Sequence, residues 1–226
     1  MSLISGEFSE KYLHNKLTCV PETVYYVPNY VTKDEAQILS DKVHNVPKTR
    51  WKNLSNRRLQ NWGGLPHPKG MVVESLPHWL QKHCSKLEQE GLFKGTKINH
   101  VLINEYLPGQ GIMPHVDGPL FTPLIATINL GSSCILKFQT RNPETEQLEE
   151  QFSLFLEEGS LLVQTDEVYE RFLHCIEEVQ EDVITEKVAN LDLCSGISLG
   201  DVVRRDTRIS LTIRNVPKVL RLKLKL

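Results

Sequence analysis

At 226 residues the chain has the length of one domain, with a core large enough to need no disulfide or metal staple. The formal charge of −2 gives no clue to a partner. The five cysteines (Cys19, Cys84, Cys134, Cys175, Cys194) are odd in number and lack a CxxC pair, which argues against a zinc ribbon and for reduced thiols. Residues 1–16 mix charges with isolated apolar residues, so they read as neither a secretory signal nor a membrane span. A monomer in the cytoplasm, with access to the nucleus, is the expectation.

In chain order, residues 1–20 read as a loose arm and 21–220 as one folded domain. Residues 23–31 suit a strand. Thr32-Lys-Asp-Glu35 is a capping box, with Ala36, Leu39, Val43 and Val46 at helical spacing behind it. Ser75, Leu76 and Pro77 open a second helix carrying Trp79, Leu80, Cys84 and Leu87. Strands then follow at 98–107, 123–130, 133–139, 151–156, 160–164 and 207–216, with a polar hairpin tip at 140–150. The polar stretch 176–206 is long for a loop inside a compact domain, and disorder is the favoured reading. The basic tail 221–226 reads as the end of an edge strand. Two helices followed by many short alternating strands predict an α+β, mainly β fold: a jelly-roll barrel (double-stranded β-helix) with helices packed on one sheet.

Charge is unevenly placed. Positions 48–70 hold Lys48, Arg50, Lys52, Arg57, Arg58 and Lys69 with no acidic residue, and Trp51 and Trp62 stand among them. Positions 141–186 hold fourteen acidic residues against Arg141 and Arg171. Cations interleaved with indole rings suit phosphate contact and base stacking; a solvated loop over buried tryptophans explains the stretch equally well.

The chemistry-bearing residues come later. His115-Val-Asp117 places an imidazole and a carboxylate two apart in a locally extended segment, where both point the same way. By composition such a triplet arises by chance roughly 0.3 times in this chain, so alone it is equally a turn histidine bonded to its neighbour. Its companions give it weight. Asn104 and Tyr106 share one face of a strand that runs into Leu-Pro-Gly-Gln-Gly, and His174 follows. Two His and one carboxylate leave three coordination positions open, as non-haem Fe(II) oxygenases require. Arg208-Ile-Ser-Leu-Thr-Ile-Arg214 alternates strictly, with Arg, Ser, Thr and Arg on one face. Such a face ordinarily meets water. If it points inward instead, paired guanidinium groups suit a dicarboxylate such as 2-oxoglutarate.

The ordered set Asn104-x-Tyr106-x-Pro-Gly, His115-x-Asp117, His174 and Arg208-x5-Arg214 resembles the AlkB family of Fe(II)/2-oxoglutarate-dependent dioxygenases. Leu59-Gln-Asn-Trp-Gly-Gly-Leu-Pro-His-Pro68, the segment 111–119 and the end of the chain from Arg208 to Leu220 are similar to one animal branch of it. The likeness covers about residues 23–220. It implies that His115, Asp117 and His174 bind iron, and that Tyr106, Arg208 and Ser210 hold the distal carboxylate of 2-oxoglutarate. It also places Asn104 and Arg214 nearer the carboxylate beside the keto group, with Thr212 along the same wall. Ser210 departs from the bacterial pattern, which has an amide there. The region 48–70 would be the substrate lid, making Arg58, Gln60, Asn61 and Trp62 candidates for substrate contact. Dioxygen is the other co-substrate, and the implied reaction is oxidative dealkylation of DNA or RNA. The same chemistry on a protein substrate, a low-turnover nucleic-acid-binding homologue and a zinc hydrolase are the rival readings. Cations of 48–70 converging on the iron cleft would favour nucleic acid; scattered ones would favour protein.

Overall fold

The computed structural model describes residues 3–21 and 23–220. The chain starts with α1 (Gly6–Lys11), capped by the Ser5 hydroxyl, which accepts the Phe8 amide at 3.1 Å. Phe8 is fully buried, its ring 4.6 and 5.6 Å from those of Tyr12 and Tyr25, and Lys11 and Tyr12 both donate to Glu90. Residues 3–20 are therefore packed onto the domain and are not a loose arm. Phe8, Leu17 and Val20 anchor them, and these lie too far apart in sequence to form a period.

After β1 (Val24–Val27) comes α2 (Lys33–His44), and its capping box is formed: Thr32 Oγ1 accepts the Glu35 amide and Glu35 accepts the Thr32 amide. The basic stretch folds as an edge hairpin, β2 (Lys52–Leu54) and β3 (Arg57–Trp62). Then β4 (Met71–Val72) leads to α3 (His78–Gln89), one turn later than Ser75. The strands that follow are β5 (His100–Tyr106), β6 (Ile112–His115), β7 (Leu124–Gly131), β8 (Cys134–Arg141), β9 (Leu148–Leu156) and β10 (Leu161–Thr165). After α4 (Asp166–Arg171) come β11 (Leu173–Ile176), β12 (Glu181–Val183), β13 (Val202–Arg204), β14 (Arg208–Arg214) and β15 (Val219–Leu220).

Seven strands form a major sheet in the order β1-β10-β7-β14-β5-β3-β2, and four form a minor sheet, β6-β11-β8-β9. Both are antiparallel throughout. The sheets pack face to face as a jelly roll: Tyr26, Tyr106 and Leu162 of the major sheet share a core with Leu136, Phe138 and Leu154 of the minor one. On the other face of the major sheet, Ile103, Ile209 and Leu211 pack under Leu39 and Val43 of α2 and Leu80 and Leu87 of α3. Helices thus cover one sheet, as the element order predicts. The β8–β9 hairpin extends further than expected, leaving only 142–147 as its tip. Val219 and Leu220 pair in parallel with Met71 and Val72, and the tail 221–226 lies outside the described residues.

Residues 176–206 are ordered, against the sequence expectation. They run across the outer face of the minor sheet, where Ile184 and Val188 pack on Ile135 and Phe155. The buried guanidinium of Arg205 binds both oxygens of Asp182 at 2.6 Å, and β12 pairs with β13. A bidentate buried pair orders the polar chain around it. Its partners stand 23 residues apart, so no local pattern shows it.

The edge hairpin is fastened from the helix side. The Glu105 side chain, 4% exposed, accepts Arg58 through both oxygens at 2.5 and 2.9 Å and binds His44 Nε2 at 2.8 Å. Arg58 also lies over the Trp51 ring, 4.0 Å from its centre. At the far end of β3, Gly63 has φ +91°, and a Cβ there would meet the Asn99 carbonyl oxygen at 1.9 Å, so the strands approach as only glycine allows. Burial raises the Glu105 carboxyl, but the Arg58 and His44 hydrogen bonds outweigh it and hold it below its ordinary range. Its stabilisation is therefore complete above an unfolded value of about 4.3 and is lost as pH falls through the lower native value. Arg58→Ala should cost about 2–3 kcal/mol at pH 7 by urea unfolding and should flatten this acid loss.

Candidate active site

β14 lies in the middle of the major sheet and is buried along its whole length. Its alternation sends Ile209, Leu211 and Ile213 to the helices and Arg208, Ser210, Thr212 and Arg214 into the space between the sheets. The polar face is interior, so the ordinary reading of such a strand fails here. Antiparallel register sets rows across the sheet: Arg208 level with Tyr106, Ser210 with Asn104 and Asn129, Thr212 with Leu102 and Thr127, and Arg214 with His100.

From the opposite sheet come the candidate metal ligands. His115, the last residue of β6, stands directly across from His174 on β11, their rings 4.4 Å apart. Asp117 follows two residues on, with Oδ2 3.8 Å from His174 Nε2, and donor atoms of all three lie within 4.8 Å of one another. His115 Nδ1 donates to the Met113 carbonyl at 2.9 Å, which fixes that tautomer and leaves the lone pair on Nε2. Burial lowers the His174 pKa to about 4 despite the Asp117 charge, so that imidazole is neutral and free to ligate at neutral pH. Arg214 holds the other Asp117 oxygen.

One cavity of about 220 Å³ is lined by all nine residues predicted for metal and co-substrate. At one end Arg208 donates to the Asn129 amide oxygen and lies 5.6 Å from the centre of the Tyr106 ring. The Nε atoms of Arg208 and Arg214 are buried without an acceptor among the described residues. Buried charged donors left in this state are costly, and an anion bound in the cavity relieves them. The donor set thus fits a divalent metal with open positions, and the arginines fit a carboxylate ligand.

The substrate candidates fare differently. Arg58 is bound to Glu105. Gln60 is wholly buried, donating to the Val43 carbonyl and accepting from Trp62 Nε1. Trp62 stacks edge-on with Trp79 and under Arg50. All three face the helix layer, because they alternate with the cavity-side residues of β3. Only Asn61, level with the cavity-lining Leu102, keeps its place on the cavity side. Sequence reasoning missed Arg57, Thr127 and Gln164, which line the cavity, and Asn129. The period-two test applied to β14 finds Thr127 and Asn129, which share the polar face of β7, but not Arg57 or Gln164, because β3 and β10 lack a clean polar–apolar alternation. His100, 1% exposed, has neither ring nitrogen bonded among the described residues, and burial with the nearby Arg214 charge lowers its pKa to about 3.

Over residues 1–214 the sequence matches the 2OG-Fe(II) oxygenase superfamily. The chain belongs to that superfamily. It is an AlkB-type member, 46% identical over 219 residues to the probable RNA/DNA demethylase ALKBH6 of Danio rerio, a match covering 94% of this chain and 92% of that one. Among solved structures, OsALKBH1 superposes with TM-score 0.55 at 12% identity, covering 88% of this chain and 99% of that one. A Pseudomonas putida prolyl-4-hydroxylase gives 0.51 at 13%, covering 85% and 91%, and shares the fold. An AlkB-type oxygenase uses Fe(II), 2-oxoglutarate and dioxygen, and the cavity described above has the matching donors.

Asn129 is the neutral amide that orients Arg208. Asn129→Ala should weaken 2-oxoglutarate binding to the Mn(II)-loaded enzyme about tenfold by calorimetry, from the loss of one hydrogen bond to a charged group.

Proposed function

We propose that this AlkB-type oxygenase is an oxidative demethylase of alkylated nucleic acid, DNA or RNA. The observation that carries the reading is the meeting, in one cavity, of the His-Asp-His cluster with two buried arginines whose Nε atoms lack acceptors among the described residues. The name of the zebrafish relative, similar over nearly the whole chain, supports the substrate class.

In this reading His115, Asp117 and His174 hold Fe(II). Tyr106, Arg208 and Ser210 take the distal carboxylate of 2-oxoglutarate; Asn104 and Arg214 lie towards its keto end, with Thr212 along the wall. When bound, iron and 2-oxoglutarate supply dioxygen activation that yields succinate, carbon dioxide and an oxidised substrate carbon. Arg214 keeps the Asp117 carboxylate in one orientation, and Leu136, Leu162 and Ile176 keep water from the cavity. A nucleobase reaches this interior only when unpaired or flipped out of its helix. Asn61 is the remaining contact candidate on the hairpin. Five unpaired cysteines accord with a reducing compartment, and no described helix is long and apolar enough to cross a membrane.

The same chemistry on a protein substrate stays as a second reading, because the cations of the basic stretch divide. Arg57 lines the cavity, whereas Arg50 and Arg58 are stacked on Trp62 and Trp51 away from it.

Succinate release from 2-oxoglutarate, screened over alkylated single- and double-stranded DNA, RNA and peptides, separates the two. Stimulation by alkylated single strands, lost steeply with added salt, is the expected result. Stimulation by peptides alone would transfer the function to protein. Asp117→Ala should remove Mn(II) binding at micromolar metal and abolish succinate formation.

A further inference from the structure

The tip of the β2–β3 hairpin carries Asn56 and Arg57, and each does something the flanking residues do not. Asn56 Nδ2 donates to Glu178, two residues beyond the cavity-lining Ile176. That contact ties the edge of the major sheet to the chain leaving the minor sheet. Its acceptor side is rigidly held: the Glu177 carbonyl accepts Arg205 at 2.6 Å, and the Glu177 carboxylate binds Lys137 at 2.8 Å.

Arg57 is half-buried on the inward face of β3. Its Nε donates to Asn104 Oδ1 at 3.2 Å, and its terminal nitrogens have no acceptor among the described residues. Register places it level with Tyr106, one step from the Arg58–Glu105 pair, and Tyr106 in turn is level with Arg208. Two guanidinium groups therefore flank one phenol in the cavity, and among the described residues no carboxylate pairs with either. Like charges in a low-dielectric interior repel unless they share an anion. The opposite end of β14 is different, since Arg214 is already paired with Asp117.

We infer that Arg57 is a co-substrate-binding residue delivered by the hairpin: its terminal N–H groups, with Arg208 and Tyr106, grip the distal carboxylate of 2-oxoglutarate. Hairpin closure and co-substrate binding then reinforce each other, because the residue that reaches the anion is covalently part of the closing element. The inference rests on the reading that Arg208 and Tyr106 receive that carboxylate. Burial raises the Tyr106 hydroxyl and the charges of Arg208 and Arg57 pull it back, as expected for a phenol between two cations.

The test is calorimetric binding of 2-oxoglutarate to full-length Mn(II)-loaded protein, with hydrogen exchange of residues 52–62 followed with and without the co-substrate. In the wild type, 2-oxoglutarate should slow exchange across the hairpin. Arg57→Met should weaken its Kd and raise its KM about tenfold or more, leave kcat within about twofold, and abolish the exchange protection. Arg57→Lys should restore part of the affinity, and Arg50→Met should change neither readout. An unchanged Kd together with undiminished hairpin protection in Arg57→Met would overturn the inference while leaving the oxygenase reading intact. Failure of the wild type itself to bind 2-oxoglutarate would overturn the assignment of Arg208 and Tyr106 with it.

Discussion

Charge inside a barrel is the constraint on which the rest of this molecule depends. β14 carries two arginines between packed sheets, and an interior guanidinium is tolerated only where the surroundings supply acceptors. The amide of Asn129 meets Arg208 and the carboxylate of Asp117 meets Arg214. Both partners arrive from other elements, and the second is itself a candidate metal ligand. The arrangement that makes β14 compatible with burial is thus nearly the arrangement proposed to hold iron and a dicarboxylate.

The same strands serve two unlike environments by alternation. On β5, Asn104 and Tyr106 face the cavity while Glu105 between them faces α2 and fastens the hairpin. On β3, Arg57 reaches inward while Arg58 binds outward to Glu105. Adjacent arginines of identical chemistry have unrelated tasks because the backbone pleat sends them to opposite faces. This is why a count of cations over 48–70 says little about substrate contact, and why the tryptophans there turn out to be supports for Arg50 and Arg58.

What was legible in the sequence was whatever local pattern encodes. The capping box at Thr32, the strict alternation of β14 and the two-residue spacing of His115 and Asp117 are all short-range, and each reappears in the structure. The family motifs assembled them into one site. The order of residues 176–206 was not legible, because it comes from an Arg205–Asp182 pair and from aliphatic contacts with a distant sheet. The packing of residues 3–20 depends likewise on contacts of Phe8 with Tyr25 and of Lys11 and Tyr12 with Glu90. The facing of β3 lies between these cases: period two was present, but a choice of phase required knowing which neighbour it pairs with.

The position of β14 between β5 and β7 bears on how the protein is made. These three strands are the centre of the major sheet, yet β14 follows every other strand of that sheet in the chain. Until β14 is in place, β5 and β7 have no partner between them, and their unpaired edges and the aliphatic face meant for α2 and α3 stand open. Folding of the barrel therefore waits for β14, with the slow, non-local pairing that high contact order imposes. A chain that stops short of Arg208 lacks more than its two cavity arginines: it has no middle to its sheet. Such products are candidates for chaperone capture and degradation rather than for partial activity.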